Sequence, residues 1–277
     1  MQYGRKLSFS VIALFLAATT LSSVTLARDV PFVPTPEPVV REMLKLAKIG
    51  KDSLVYDLGS GDGRIVIMAA KEYGARGVGV DIDPERIADG RANAKRAGVE
   101  DKVKFIEGDL FKVDLRPATA VTLYLLPDIN VRLRPKLMKE LRPGTPVVSH
   151  AFDMGDWEPE VTKTVDGATV YLWHIPARAS GVWEYRLRTA HGGDEQHRLH
   201  ITNQDIDKVQ GTVTMDGQSF AIENGRISGE RLRFTVTRNL NGATVTQRFE
   251  GRVAGDRIAD MTVADSRMVA QRARPTS

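Results

Sequence analysis

The chain has no cysteine among its 277 residues. That excludes disulfides, thiolate zinc sites and cysteine nucleophiles, but it leaves the compartment open. Aromatics are sparse, at 6%, and the net charge is only +4. Two of those charges, Arg5 and Lys6, sit at the extreme N-terminus. The remainder carries too little excess charge to argue for nucleic acid or an anionic membrane surface as a partner. Low-complexity tracts are absent too. With 42% hydrophobic and 27% charged residues, the composition is that of a globular protein long enough for two domains.

Arg5 and Lys6 precede an uncharged stretch from Leu7 to Ala27, apolar at its centre (Val11 to Ala18) and ending in Thr25-Leu26-Ala27. This is the pattern of a secretory leader with a small-residue cleavage signal. The same stretch is also just long enough for an uncleaved anchor. Either way residues 1–27 are expected to direct export, placing the rest in the periplasm or on the outer face of the cytoplasmic membrane. Contact with the membrane is expected only through this segment.

Beyond it, Val33-Pro34-Thr35-Pro36 reads as an extended arm entering a helix, with Thr35 suited to the N-cap and Pro36 to the first helical position. Strands and helices then alternate. Strands are expected at Ser53–Leu58, Gly77–Ile82, Val103–Glu107, Ala120–Leu126 and Thr145–Phe152, and helices at Gly63–Tyr73, Pro84–Ala97 and up to Leu141. A hairpin follows around Asp166-Gly167, with Ala168–His174 as its second strand. Residues 28–177 therefore predict an α/β Rossmann-like domain, a mostly parallel sheet with helices on both faces.

The pattern changes at Pro176–Gly181. From residue 181 to 277 no helix is expected. Short strands alternate with turn pairs such as Asp216-Gly217, Asn224-Gly225 and Asn241-Gly242. Gly225–Leu232 is echoed by Gly251–Ile258, as two similar hairpins of one meander. About eight strands predict a small all-β meander barrel or sandwich.

The sharpest motif is Asp57-Leu58-Gly59-Ser60-Gly61-Asp62-Gly63-Arg64, between a strand and a helix. Residues without Cβ allow a tight turn and close approach of a ligand to backbone, and the helix N-terminus offers free N–H groups. A nicotinamide fingerprint needs glycine at position 64, where Arg64 stands, which speaks against an oxidoreductase. Asp81 closes the second strand, where a carboxylate can accept both ribose hydroxyls. Asp109 closes the third. Ile82 follows Asp81 directly, and Leu110 follows Asp109.

The acidic-x-Gly-x-Gly-x-Gly form resembles the first motif of class I methyltransferases. That resemblance implies S-adenosyl-L-methionine as cofactor, held by Asp57, Gly59, Ser60, Gly61, Gly63, Asp81, Ile82, Asp109 and Leu110, with Asp109 accepting from the adenine amino group. Pro31-Phe32-Val33-Pro34 followed by Tyr56–Val66 narrows it. There the chain resembles the ATP-synthase c-subunit lysine methyltransferases and their bacterial relatives, over roughly residues 31–157. This implies methylation of a lysine in a protein substrate, with no nucleic-acid partner. In this superfamily the acceptor lies beside the end of the fourth strand, so Tyr124 and Asp128 are the catalytic candidates, with His150, Asp153 and Asp156 behind them. The Asn/Asp-Pro-Pro-aromatic motif common in amine methylators is absent. An alternative is an exported binding or sensor protein that retains an adenosyl pocket without catalysis.

No metal site is expected, since His197 and His200 are three apart on a strand and face opposite ways; His191 stands apart from both. Gly181-Val182-Trp183 with a late arginine, Arg272 or Arg274, resembles lipocalin-like barrels, where the arginine packs over the indole.

Overall fold

The computed structural model describes residues 32–188, 194–240, 242–263 and 266–272. The expected leader, His191, Asn241, Arg274 and the side chain of Arg272 lie outside the described residues.

An extended arm, residues 32–36, leads into α1 (Glu37–Leu46), whose Val39, Val40, Met43 and Leu44 form one buried stripe. The helix starts one residue later than expected. Pro36 is extended, with ψ 145, and takes the N-cap position without a side-chain cap. Thr35 does not cap the helix; its hydroxyl pairs with His150 Nδ1 at 3.1 Å.

A seven-stranded sheet follows, built from β1 (Leu54–Leu58), β2 (Arg76–Asp81), β3 (Val103–Glu107), β4 (Ala120–Leu123), β5 (Pro146–His150), β6 (Val161–Val165) and β7 (Ala168–His174). Its order is β3-β2-β1-β4-β5-β7-β6. The first five strands are mutually parallel, whereas β7 runs antiparallel to both β5 and β6. The strand order reverses between β1 and β4, the crevice where ligands bind in open sheets of this kind. Strand β4 stops at Leu123, earlier than expected, because Pro127 opens α4 (Pro127–Glu140) and pulls residues 124–126 out of the sheet.

α2 (Arg64–Tyr73) and α3 (Pro84–Ala97) join α1 on one face. Leu133 and Leu137 of α4 pack on the other face with Leu123, Val147, Trp157 and Trp173. The limits of α3 follow from its ends. Asp83 accepts from Glu85 N–H, Pro84 opens the first turn, and Gly98 closes the helix in a left-handed conformation.

The second sheet is antiparallel throughout. Its strands are β8 (Gly181–Arg188), β9 (Asp194–Asp205), β10 (Lys208–Met215), β11 (Gln218–Ala221), β12 (Glu223–Ser228), β13 (Arg231–Leu240), β14 (Ala243–Ala254), β15 (Arg257–Val263) and β16 (Ser266–Arg272). β11 and β12 both lie along β10, as two halves of one bent strand. Pairing of β16 with β8 and of β9 with β10 closes the meander into a ring of eight staves, so among the described residues this sheet has no long open edge. The echoed segments are the hairpins β12–β13 and β14–β15, turning at Gly229 and Gly255. Asp216-Gly217 forms the expected turn, with positive φ at both residues. Asn224-Gly225 does not turn the chain; it forms a bulge, where the register of β12 against β13 shifts between Glu223 and Arg226.

Trp183, Leu199, Val213, Phe234, Val236 and Phe249 fill the barrel interior, with the Phe234 and Phe249 rings stacked at 4.7 Å. The Trp183 indole N–H donates to Ala179 O at 2.8 Å. His197 is buried against Tyr185 and His200 is exposed, so the two point oppositely as their spacing requires.

The barrel attaches at a defined place. Ala177 N–H donates to Gly229 O, and Gly229 lies against Gly144 and His174. Arg226 bridges Asp207 and Glu158. Because His174 pairs with Pro146 at the start of β5, this contact is at the N-terminal edge of the parallel strands.

Candidate functional site: a cavity at the C-terminal edge of the sheet

A cavity of about 370 Å³ opens at the opposite, C-terminal edge. Its floor is the loop after β1. Gly59 and Ser60 N–H both donate to Val80 O, at 2.8 and 2.9 Å, which folds the loop back over β2. Gly61 N–H donates to Asp81 Oδ2 at 2.8 Å. Gly59, Gly61 and Gly63 all have positive φ, so this loop shape requires glycine.

Asp57, Gly59, Ser60 and Gly61 line the cavity floor. Asp81, Ile82, Asp109 and Leu110 line the wall made by the ends of β2 and β3. Gly63 stands outside. A Cβ there would meet the Phe105 ring at 2.5 Å and Gly90 Cα at 3.3 Å, so this glycine serves packing between helix and sheet. Tyr124 lines the cavity at the end of β4. Asp128 is exposed in the first turn of α4 and is not part of the lining. His150 is buried behind Tyr124, with ring centroids 3.9 Å apart. Asp153 accepts from Gly155 N–H and Asp156 pairs with Arg134, so both stabilise the loop after β5.

The electrostatics are uneven. Asp57 is buried, accepts from Thr122 Oγ1 at 2.8 Å and has no cation beside it among the described residues. Burial pushes its carboxyl up to about 7; the Thr122 bond offsets part of that, and the charges of Asp81 and Asp62 add to it. The Ser60 hydroxyl is buried and has no hydrogen-bond partner among the described residues. Asp81 already accepts from Gly61 and Asp83 N–H, and each of its oxygens retains a second lone pair. Asp109 Oδ1 accepts from Phe111 N–H at 2.9 Å, and Oδ2 lies 3.5 Å from the exposed Lys112.

Sequence reasoning missed the roof. The arm lies over the glycine loop, with Phe32 above Gly61 and Arg86 stacked on the Phe32 ring at 4.8 Å. Arg64, held by Asp62 at 2.6 Å, donates from Nη1 to Thr35 O at 3.0 Å. The run of alternating prolines was the available signal, since it stiffens an extended segment.

The donor set suits a zwitterionic adenosyl ligand. A buried carboxyl with no cation beside it among the described residues can pair with an ammonium, two strand-end aspartates retain acceptor capacity, and glycines at positive φ let the loop backbone itself form the cavity floor. Among the described residues no cluster of His, Asp and Glu is arranged to hold a metal.

Comparison with known proteins agrees. The model of the ANTKMT methyltransferase domain matches residues 57–161. A protein-lysine N-methyltransferase of Saccharolobus islandicus is 52% identical over 151 residues, covering 53% of this chain and 94% of that protein. The ATP synthase c-subunit lysine N-methyltransferase of Xenopus laevis is 34% identical over 169 residues, covering 61% and 74%. A crystal structure from Salinibacter ruber, described as an RNA methyltransferase in complex with S-adenosyl-L-homocysteine, is 59% identical with TM-score 0.52, covering 53% and 95%. The family match ends before the barrel. Such identity across nearly the whole of a relative disfavours the non-catalytic sensor, and the cofactor is S-adenosylmethionine. The chain belongs to the ANTKMT family of class I S-adenosylmethionine-dependent methyltransferases.

Proposed function

We propose that this methyltransferase acts on lysine side chains of a protein. The observation that carries the reading is the 52% identity to a protein-lysine N-methyltransferase across 94% of that relative. The cavity is compatible with it. Its acceptor end is formed by Tyr124 and Leu125 beside the buried, uncharged His150, a setting that suits an amine losing its proton.

When bound, S-adenosylmethionine supplies a sulfonium methyl group that a neutral amine takes by in-line displacement. The protein's part is to hold and align. In this reading Asp57 pairs with the ligand ammonium, the loop amides and Ser60 hold its polar end, Asp81 accepts from ribose, and Asp109 accepts from the adenine amino group between Ile82 and Leu110. Phe32 and Arg64 fix the arm as a roof that excludes water.

A second reading, an RNA acceptor, is favoured by the description of the Salinibacter ruber relative. One experiment separates the two. The purified protein is incubated with S-adenosylmethionine labelled in its methyl group, together with oligolysine or with RNA. Label in oligolysine, recovered as methyl-lysine on hydrolysis, supports the proposal; label in RNA alone overturns it.

We further propose that the leader exports or anchors the chain. Among the described residues no helix is long and apolar enough to cross a membrane. Fractionation with an antibody to the barrel tests this: protein found only in the cytosol refutes export. A lipocalin-like role for the barrel rests on Gly181-Val182-Trp183 and a late arginine, Arg272 or Arg274, whose side chains lie outside the described residues.

A further inference from the structure

Four residues beyond those assigned to the cofactor form a connected structure at one end of the cavity. Tyr124 is half-buried and lines the cavity. His150 lies behind it, and the Phe152 ring is stacked alongside with centroids 6.3 Å apart and planes 22° from parallel. Thr35, in the arm, bonds to His150 Nδ1 at 3.1 Å.

The backbone beneath this group is strained. Ala151 has φ 66, and Phe152 N–H donates to His150 O at 2.9 Å, closing a left-handed γ-turn. Such a turn persists only where its surroundings hold it. Here Ala151 N–H donates to Thr169 O, and the fully buried Asn130 donates to Phe152 O, Asp153 O and Ser149 Oγ at 3.1–3.3 Å. The consequence of the strain is that Phe152 leaves the end of β5 directed back toward Tyr124.

We propose that Tyr124 presents the aromatic face that receives the lysine side chain, that His150 and Phe152 back its ring as one wall, and that Thr35 fixes this wall to the arm roofing the cofactor site. The proposal rests on the lysine reading above. An uncharged aromatic face attracts an alkylammonium and repels neither its cationic nor its neutral form. Burial holds the His150 imidazole below its ordinary range, so the wall carries no positive charge at neutral pH. The linkage is continuous. Arg64, in the glycine motif, holds the Thr35 carbonyl, and the Thr35 hydroxyl holds His150. Arg64 thus holds the arm through the Thr35 carbonyl, while the Thr35 hydroxyl positions the wall.

The test uses the purified protein with oligolysine as acceptor probe. Two quantities are read: calorimetric binding of oligolysine to the S-adenosylhomocysteine complex, and methyl transfer from S-adenosylmethionine. Tyr124→Ala and Phe152→Ala are expected to weaken oligolysine binding about tenfold, with S-adenosylhomocysteine affinity changed by less than about threefold. Thr35→Val keeps side-chain volume and the Arg64 contact but removes the hydroxyl. It is expected to lower kcat/KM for oligolysine about tenfold at unchanged cofactor affinity, and Thr35→Ser is expected to restore it. Parallel loss of cofactor and oligolysine affinity in Tyr124→Ala, an unaffected Thr35→Val, or failure of serine to rescue overturns the wall. A wild-type protein that neither binds nor methylates oligolysine overturns the lysine reading itself, a distinct result.

Discussion

Asp57 offers a measurement of how the site is prepared for its ligand. Its carboxyl is buried, has one neutral hydrogen-bond partner, and is pushed up to about 7 against an ordinary value of 3.8. Below pH 7 the free protein therefore holds Asp57 protonated. If this carboxylate pairs with the ligand ammonium, binding demands the ionised form, and each pH unit below 7 costs about 1.4 kcal/mol. At pH 5 the penalty is about 2.7 kcal/mol, roughly a hundredfold in Kd; at pH 8 it has nearly vanished. The sign for stability runs the other way. A folded-state value raised above the unfolded one stabilises the free protein at pH 4, and that contribution is lost as pH rises through 7. Calorimetric titration with S-adenosylhomocysteine at pH 5, 6, 7 and 8 is the assay. The wild type should gain at least about thirtyfold in affinity across that range, whereas Asp57→Asn should bind weakly with a flat profile. A flat wild-type profile, or the same slope in Asp57→Asn, refutes the reasoning.

Three further outcomes follow from the geometry. Asp81→Ala removes an acceptor from the ribose side and releases the Gly61 and Asp83 amides, so S-adenosylmethionine binding should weaken by about 1–3 kcal/mol; calorimetry showing unchanged affinity contradicts the assignment. Asn130→Leu strands the carbonyls that hold the γ-turn, and should cost about 2–4 kcal/mol in urea unfolding, with acceptor turnover falling more than cofactor affinity. Trp183→Ala empties the barrel core at a cost of about 3–5 kcal/mol to the barrel's own unfolding transition. Methyl transfer should survive it, because the barrel docks at the edge of the sheet opposite the cavity; loss of cofactor binding in that variant would show the two halves to be coupled.

Legibility in the sequence followed the range of the interactions. The limits of α3 and β3 were readable because caps, prolines and glycines act within a few residues of the ends they set. The strand-end aspartates were readable because each sits at a local change of pattern. Thr35 was misread for the same reason. A threonine before a proline and a helix has the local form of an N-cap, but its actual partner, His150, is 115 residues away. Asn224-Gly225 has the composition of a turn, yet the pairing of β12 between β10 and β13 makes it a bulge. The edge on which the barrel docks depends on Gly144, His174 and Gly229 meeting in space, and no local signal announces that.

The three glycines of the motif look equivalent in sequence, and the structure separates two of them by consequence. Gly61→Ala and Gly63→Ala both force an L-residue to φ 52 or 78, a strain of about 1–2 kcal/mol each. The added methyl then meets different neighbours. At position 61 it strikes the ring of Phe32, which is 46% exposed on the arm and free to swing outward. Stability should fall by little more than the backbone strain, but the roof is displaced and cofactor affinity should drop about tenfold or more. At position 63 the methyl strikes the ring of Phe105, which also packs against Gly79 and Gly90, with the Gly90 backbone at 3.3 Å behind it. Overpacking adds about 1–3 kcal/mol, so Gly63→Ala should lose about 2–5 kcal/mol in urea unfolding while its folded fraction still binds S-adenosylhomocysteine. Parallel unfolding and calorimetry on the two variants decide the matter. If Gly63→Ala loses affinity at full stability, Gly63 contacts the ligand and the packing role assigned to it is wrong. If Gly61→Ala binds as tightly as the wild type, the arm is not the roof of the site.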